Sequence, residues 1–221
     1  DRSQEGVTVT KRTLTLSLVA ALAAAGLVAA LAPITGYAET SGGGALKAVS
    51  EFSSIADAKE RSKAIFAEAS RVLTHPRCIN CHPATRSPTQ GEDMHPHVPL
   101  MIAADSSMGP AGLACSSCHG AENRGIVGSR LKSIPGNAHW QLAPESMAWQ
   151  GLTVGEICRQ VKDTERNGNR SHADLVKHMG EDHLVGWAWH PGEGRSAPPG
   201  SQPELAALIA AWVDTGAECP D

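Results

Sequence analysis

Large aromatic side chains are scarce in this chain: its 221 residues hold two Phe, one Tyr and five Trp. A domain of this size ordinarily leans on such residues for its interior, so their scarcity argues against a large aromatic core and calls for another apolar body to pack around. An excess of basic charge is missing too. Lys and Arg number 19 against 23 Asp and Glu, a formal net charge of −4, which leaves no cationic footprint for nucleic acid. Nor does any useful length of chain alternate apolar and polar residues, so a sheet-built fold is excluded. What the chain does have is 22 Gly, 14 Pro and ten His, a composition of long loops studded with imidazoles.

The N-terminal stretch reads as an export segment. Lys11 and Arg12 precede an uncharged apolar run from Leu14 to Ile34, and Gly36-Tyr37-Ala38 offers small residues where a signal peptidase reads. That order predicts a secretory signal over 1–38, cleaved after Ala38. The run is also long enough to span a bilayer, so a retained N-terminal anchor is the alternative. Residues 39–54 are rich in Gly and Ser and read as a flexible lead, leaving 55–221 as one domain.

Within that domain the periodicity predicts helices separated by irregular chain. Asp57 to about Leu73 repeats apolar residues at helical spacing, and Pro76 ends the run. Thr153-Val154-Gly155-Glu156 is a capping box that opens a helix to about Asp163, and Ser171-His172-Ala173-Asp174 opens a shorter one ending at Gly180. Pro203 begins a last helix stopped at Gly216. Spans 83–114, 120–150 and 191–202 read as loops. The class is mainly α, short helices with long loops.

Two motifs carry chemistry: Cys78-Ile79-Asn80-Cys81-His82 and Cys115-Ser116-Ser117-Cys118-His119. Two thiols one turn apart can add to two vinyl groups on one edge of a porphyrin, and the following imidazole then meets the iron. A lone C-x-x-C is shared by redox dithiols and zinc sites. Two copies, each followed at once by His and lying behind an export signal, predict two covalent haem c groups with His82 and His119 as iron ligands. The rivals are a four-thiolate zinc site, which has no use for the two His, and structural disulfides between thiols too close to pair well. The remaining Cys158 and Cys219 predict a disulfide pinning the last helix to the domain, with two buried free thiols as the other reading.

Each iron needs a sixth ligand unless it binds a substrate. His75 is too close to Cys78 to reach the far face. His95 and His97 lie in the proline-rich loop between the motifs, Met147 follows the loop ending at Pro144, and His178 faces along a short helix with Leu175.

Several runs together resemble a known family. They are His75-Pro76-Arg77-Cys78 leading into Cys81-His82-Pro83, then Leu142-Ala143-Pro144 with Met147-Ala148-Trp149. Cys158, Lys162-Asp163, Asn167-Gly168, Leu184-Val185-Gly186-Trp187 and Gly216-Ala217-Glu218-Cys219-Pro220 continue it. The chain is similar over most of residues 70–220 to periplasmic dihaem c-type cytochromes of the isoquinoline 1-oxidoreductase subunit-like family. The resemblance implies a dihaem cytochrome c-like fold and a redox partner of the molybdenum hydroxylase type. It also implies His97 as ligand of one iron and Met147 or His178 as ligand of the other. The chain departs from the pattern at Ile102-Ala103-Ala104-Asp105, where an Arg-Gly pair is common.

The function expected is electron transfer from such a dehydrogenase to a respiratory acceptor, with no bond chemistry on the chain itself. An enzyme with one open haem, a dihaem peroxidase or other small-molecule reductase, is the rival. A gas or redox sensor is a weaker third, since no signalling domain accompanies the motifs.

Overall fold

A computed structural model describes residues 44–103 and 107–221. The export segment expected at 1–38 lies outside them, as do Ala104 and Asp105 of the departure noted above. The described chain is mainly helical, with long loops and four two-residue strands.

Helix α1, Ala58–Leu73, starts where the Asp57 carboxylate accepts from the amides of Lys59 and Glu60. A proline can open a helix as well as close one, because its missing N–H is not needed in the first turn. Pro76 does so here: α1 has already stopped at Leu73, and a new short helix α2, Pro76–Ile79, begins with His75 as its cap. The capping boxes at Thr153/Glu156 and Ser171/Asp174 start α3, Val154–Lys162, and α4, His172–Glu181. The Asp182 carboxylate then caps a further short helix, α5, His183–Trp187, and Ser201 caps α6, Gln202–Asp214.

The core is a helical sandwich in which α6 packs against both α1 and α4. Ile65, Phe66, Ala69, Val72 and Leu73 of α1 meet Leu205, Leu208, Ile209 and Trp212 of α6, and the Phe66 and Trp212 rings lie 4.9 Å apart. Residues 39–54, read above as a flexible lead, belong to this core from 44 onward. Val49–Phe52 forms a 3-10 turn and Leu46 and Phe52 are buried. Their apolar side chains outweigh the local Gly and Ser signal. Cys158 and Cys219 are joined in a disulfide that ties α3 to the C-terminal tail.

The loop after each Cys-x-x-Cys-His motif is pinned by a short antiparallel ladder. Strands β1, Thr89–Gln90, and β2, His95–Pro96, pair in the first loop. Strands β3, Arg124–Gly125, and β4, Ser133–Ile134, pair in the second. Two residues per strand are too few to show a period in sequence.

Candidate functional site

The first motif rides on α2. Cys78 lies in the helix, and Cys81 and His82 continue it through backbone bonds to the Cys78 carbonyl, so both thiols sit a turn apart with the imidazole next in line. A strap of residues 143–150 wraps this turn: the Ala143 amide bonds the Cys81 carbonyl, and the amides of Trp149 and Gln150 bond that of His82. His82 Nδ1 donates to the Met147 carbonyl at 2.6 Å, and the Trp149 ring stacks on the imidazole at 3.6 Å, 10° from parallel. A carbonyl can only accept, so the proton is on Nδ1 and Nε2 keeps its lone pair.

His82 opens onto a cavity of about 440 Å³, whose wall includes Arg77, Cys81, Met147, Trp149, His178 and Leu175. Burial holds the His82 imidazole neutral, its pKa lowered to about 4 against the opposing effect of the Met147 carbonyl. His178 lines the same cavity, and its charge lowers the His82 pKa further. His178 Nδ1 lies 3.4 Å from Asp182 Oδ2. Burial likewise pushes the Cys78 thiol up to about 12 and the Cys81 thiol up to about 11.

The second motif is built on the same plan in a more open setting. Cys115–Ser117 forms a 3-10 turn, and the His119 amide bonds the Cys115 carbonyl. His119 Nδ1 donates to the Pro135 carbonyl at 2.7 Å, and Trp140 stacks on the imidazole at 4.6 Å and 14°. Gly136 is required beside it, since a Cβ there would stand 2.1 Å from the Glu122 carbonyl oxygen. Burial lowers the His119 pKa, and the charges of His97 and Arg195 lower it further.

His97 faces His119 with ring centres 5.9 Å apart, and its own Nδ1 donates to the Pro99 carbonyl at 2.8 Å. Two imidazoles held on opposite sides of one transition-metal ion, each nitrogen about 2.0–2.1 Å from it, have ring centres roughly 6 Å apart. The separation of His97 and His119 is of that order. Both rings give Nδ1 to a backbone carbonyl, which leaves each Nε2 for another partner.

The structure thus brings His97 to the second motif and His178 to the cavity of the first. Met147 touches His82 through its backbone, on the Nδ1 side. His95 has both ring nitrogens engaged, Nδ1 with Asp93 and Nε2 with Gln90. Cys78, Cys81, Cys115 and Cys118 are free thiols, and Cys81 and Cys115 are near enough for Cys115 to raise the Cys81 pKa. The motifs are neighbours. Among the described residues no group of three or more His, Cys, Asp or Glu gathers as a metal site. Sequence reasoning missed Trp149, Trp140 and the two carbonyl acceptors. The only hint was a Trp soon after a proline in each case.

The site defines a class: a mainly α domain bearing two adjacent thiol–imidazole stations, each braced by a tryptophan and a carbonyl. The chain matches no family model, no curated protein and no solved structure.

Proposed function

We propose that the chain is a periplasmic dihaem c-type cytochrome that carries electrons. One observation bears most of the weight: both motif histidines donate Nδ1 to a backbone carbonyl and offer Nε2, the posture of an iron ligand. The thiols argue the same way. A redox dithiol needs a thiolate near neutral pH, whereas burial keeps Cys78 and Cys81 protonated, with pKa values about 12 and 11. Cys78, Cys81, Cys115 and Cys118 would hold a haem by addition of each S–H across a vinyl group, which would need no oxidant because the hydrogen would go to the second vinyl carbon.

A haem iron gripped by two axial side chains supplies a one-electron ferric/ferrous couple. The chain's part is to hold that couple in place, dry it and set its potential. Bound there, a haem would be held by His119 with His97 at the second motif and by His82 with His178 at the first. Met147 is the poorer choice for the first iron. The contact it makes with His82 is through its backbone carbonyl, which takes the Nδ1 hydrogen and leaves Nε2 to another partner. Trp149 and Trp140 keep the ligand rings from turning.

Export rests on the basic–apolar–small order of residues 1–38. The donor, a molybdenum hydroxylase-type dehydrogenase, and a respiratory acceptor rest on the family resemblance. The test is expression in a periplasm equipped for haem attachment, followed by intact-protein mass spectrometry. Two covalent haems are expected. A chain without covalent haem overturns the proposal. A high-spin ferric haem that binds cyanide quickly would instead favour an enzyme with an open iron.

A further inference from the structure

A second cavity, of about 1080 Å³, lies where the loop after the second motif meets α5 and the chain leading into α6. Glu122, His183, Trp187, Trp189 and Glu193 are among its walls, and a space of this order holds a whole small molecule. Asparagine side chains fix those walls. Trp187 Nε1 donates to Asn123 Oδ1 at 2.8 Å, and Asn123 Nδ2 donates to the His190 carbonyl at 2.6 Å. Asn137 Nδ2 donates to the His183 carbonyl at 3.1 Å.

Trp187 ties this cavity to both motifs. Its ring meets Trp140 edge-on at 4.7 Å, and Trp140 stacks on His119. Trp187 and His183 also line the cavity at His82. A molecule in the second cavity would thus stand one side chain from the first station and two rings from the imidazole of the second. His183 is exposed, and among the described residues its imidazole has no hydrogen-bond partner, so it is open to proton exchange with water and with a ligand. The β3–β4 hairpin edges the cavity. Lys132 Nζ lies 3.8 Å from Glu193 Oε1, and Val127 and Leu131 of the same hairpin are exposed. A cationic and apolar edge suits a carrier that arrives in lipid.

We infer that this cavity takes a quinone, the respiratory acceptor to which two haems deliver their electrons. The inference rests on the haem reading. A quinone is flat, which fits walls carrying Trp187 and Trp189, and its reduction takes two electrons, one from each iron. Irons held by two histidines lack the thioether ligand that raises potential, which favours giving electrons to such an acceptor. Both quinone C=O groups become C–OH: His183 passes a solvent-derived proton to one oxygen, water supplies the other, and both ferrous irons become ferric.

The experiment uses the loaded protein, its Ala121→Trp and His183→Gln variants, and duroquinone as the probe, with mass spectrometry to confirm two attached haems in each. Ala121 lines the cavity, so the added indole fills it. Calorimetry on the ferric protein is expected to show duroquinone binding that Ala121→Trp abolishes and His183→Gln keeps. When pre-reduced protein is mixed with duroquinone, each quinone is expected to reoxidise two haems. Loss of the proton donor in His183→Gln should slow that step by roughly a hundredfold at neutral pH. If Ala121→Trp does not mature, His183→Gln alone carries the test, and reoxidation at the wild-type rate overturns the inference. Absence of binding to the wild type overturns it as well. So does unchanged reoxidation in Ala121→Trp, which would mean that electrons leave directly from a haem edge. Wild-type protein lacking covalent haem overturns the haem reading instead, so the two failures are told apart.

Discussion

His82 and His119 owe their protonation to their neighbours. Each gives its Nδ1 hydrogen to a carbonyl, which leaves Nε2 for another partner, and burial lowers the pKa of both rings. Under the haem reading, His178, on the wall of the first cavity, is the proposed second ligand there. In the loaded protein, His178→Ala should convert one of two low-spin haems to a high-spin form visible in the ferric absorption spectrum. Met147→Ala should leave both low-spin, because the contact it makes with His82 is through the backbone. Loss of a low-spin haem in Met147→Ala, with His178→Ala unaffected, would reverse the assignment. Little of this was legible beforehand. The motif histidines announce themselves by spacing, but Met147 and Trp149 lie far along the chain from His82, and nothing local in sequence pairs them.

At the scale of elements, capping chemistry was readable and packing was not. Asp57, Thr153 with Glu156, and Ser171 with Asp174 act within one turn, so the starts of α1, α3 and α4 are written locally. The opening of α2 at Pro76, and α5, escaped notice: each is too short to show a period. The disulfide is an element-scale device. It closes a separation of 61 residues, linking α3 to the tail behind α6. The paired substitution Cys158→Ser with Cys219→Ser should lower stability by about 2–4 kcal/mol, read from urea unfolding. Gly155, on the same helix, shows how closely the tail is seated, since a Cβ there would lie 2.3 Å from the Pro220 carbonyl oxygen. An unchanged unfolding midpoint in the double variant would mean that this packing alone holds the tail.

Across the whole molecule the apolar residues are unevenly shared. The helical core draws on residues 46–79 and 147–217, while Val98, Leu100, Ile102, Leu113, Val127 and Leu131 stand exposed on either side of the second motif in sequence. Among the described residues, every exposed large apolar side chain except Val49 lies between 98 and 131. The first motif therefore sits against the helical core, and the second among loops whose large apolar side chains are exposed. Cys115→Ala with Cys118→Ala, leaving the first haem attached, should open 98–131 to limited proteolysis and leave α1, α4 and α6 protected. Equal protection of 98–131 in that variant and in the fully loaded protein would show that the loops need no second haem.

The sequence by itself determined the two motifs, the mainly α class, three helix starts and the pairing of Cys158 with Cys219, because each depends on residue type or on bonds within a turn. The tertiary structure decided which imidazole faces which and which tryptophan braces which ring. Those facts depend on segments distant in sequence meeting across a core. The scarcity of Phe and Tyr, met first as a deficit, has a location in the folded chain: the apolar shortfall is concentrated around Cys115, Cys118 and His119.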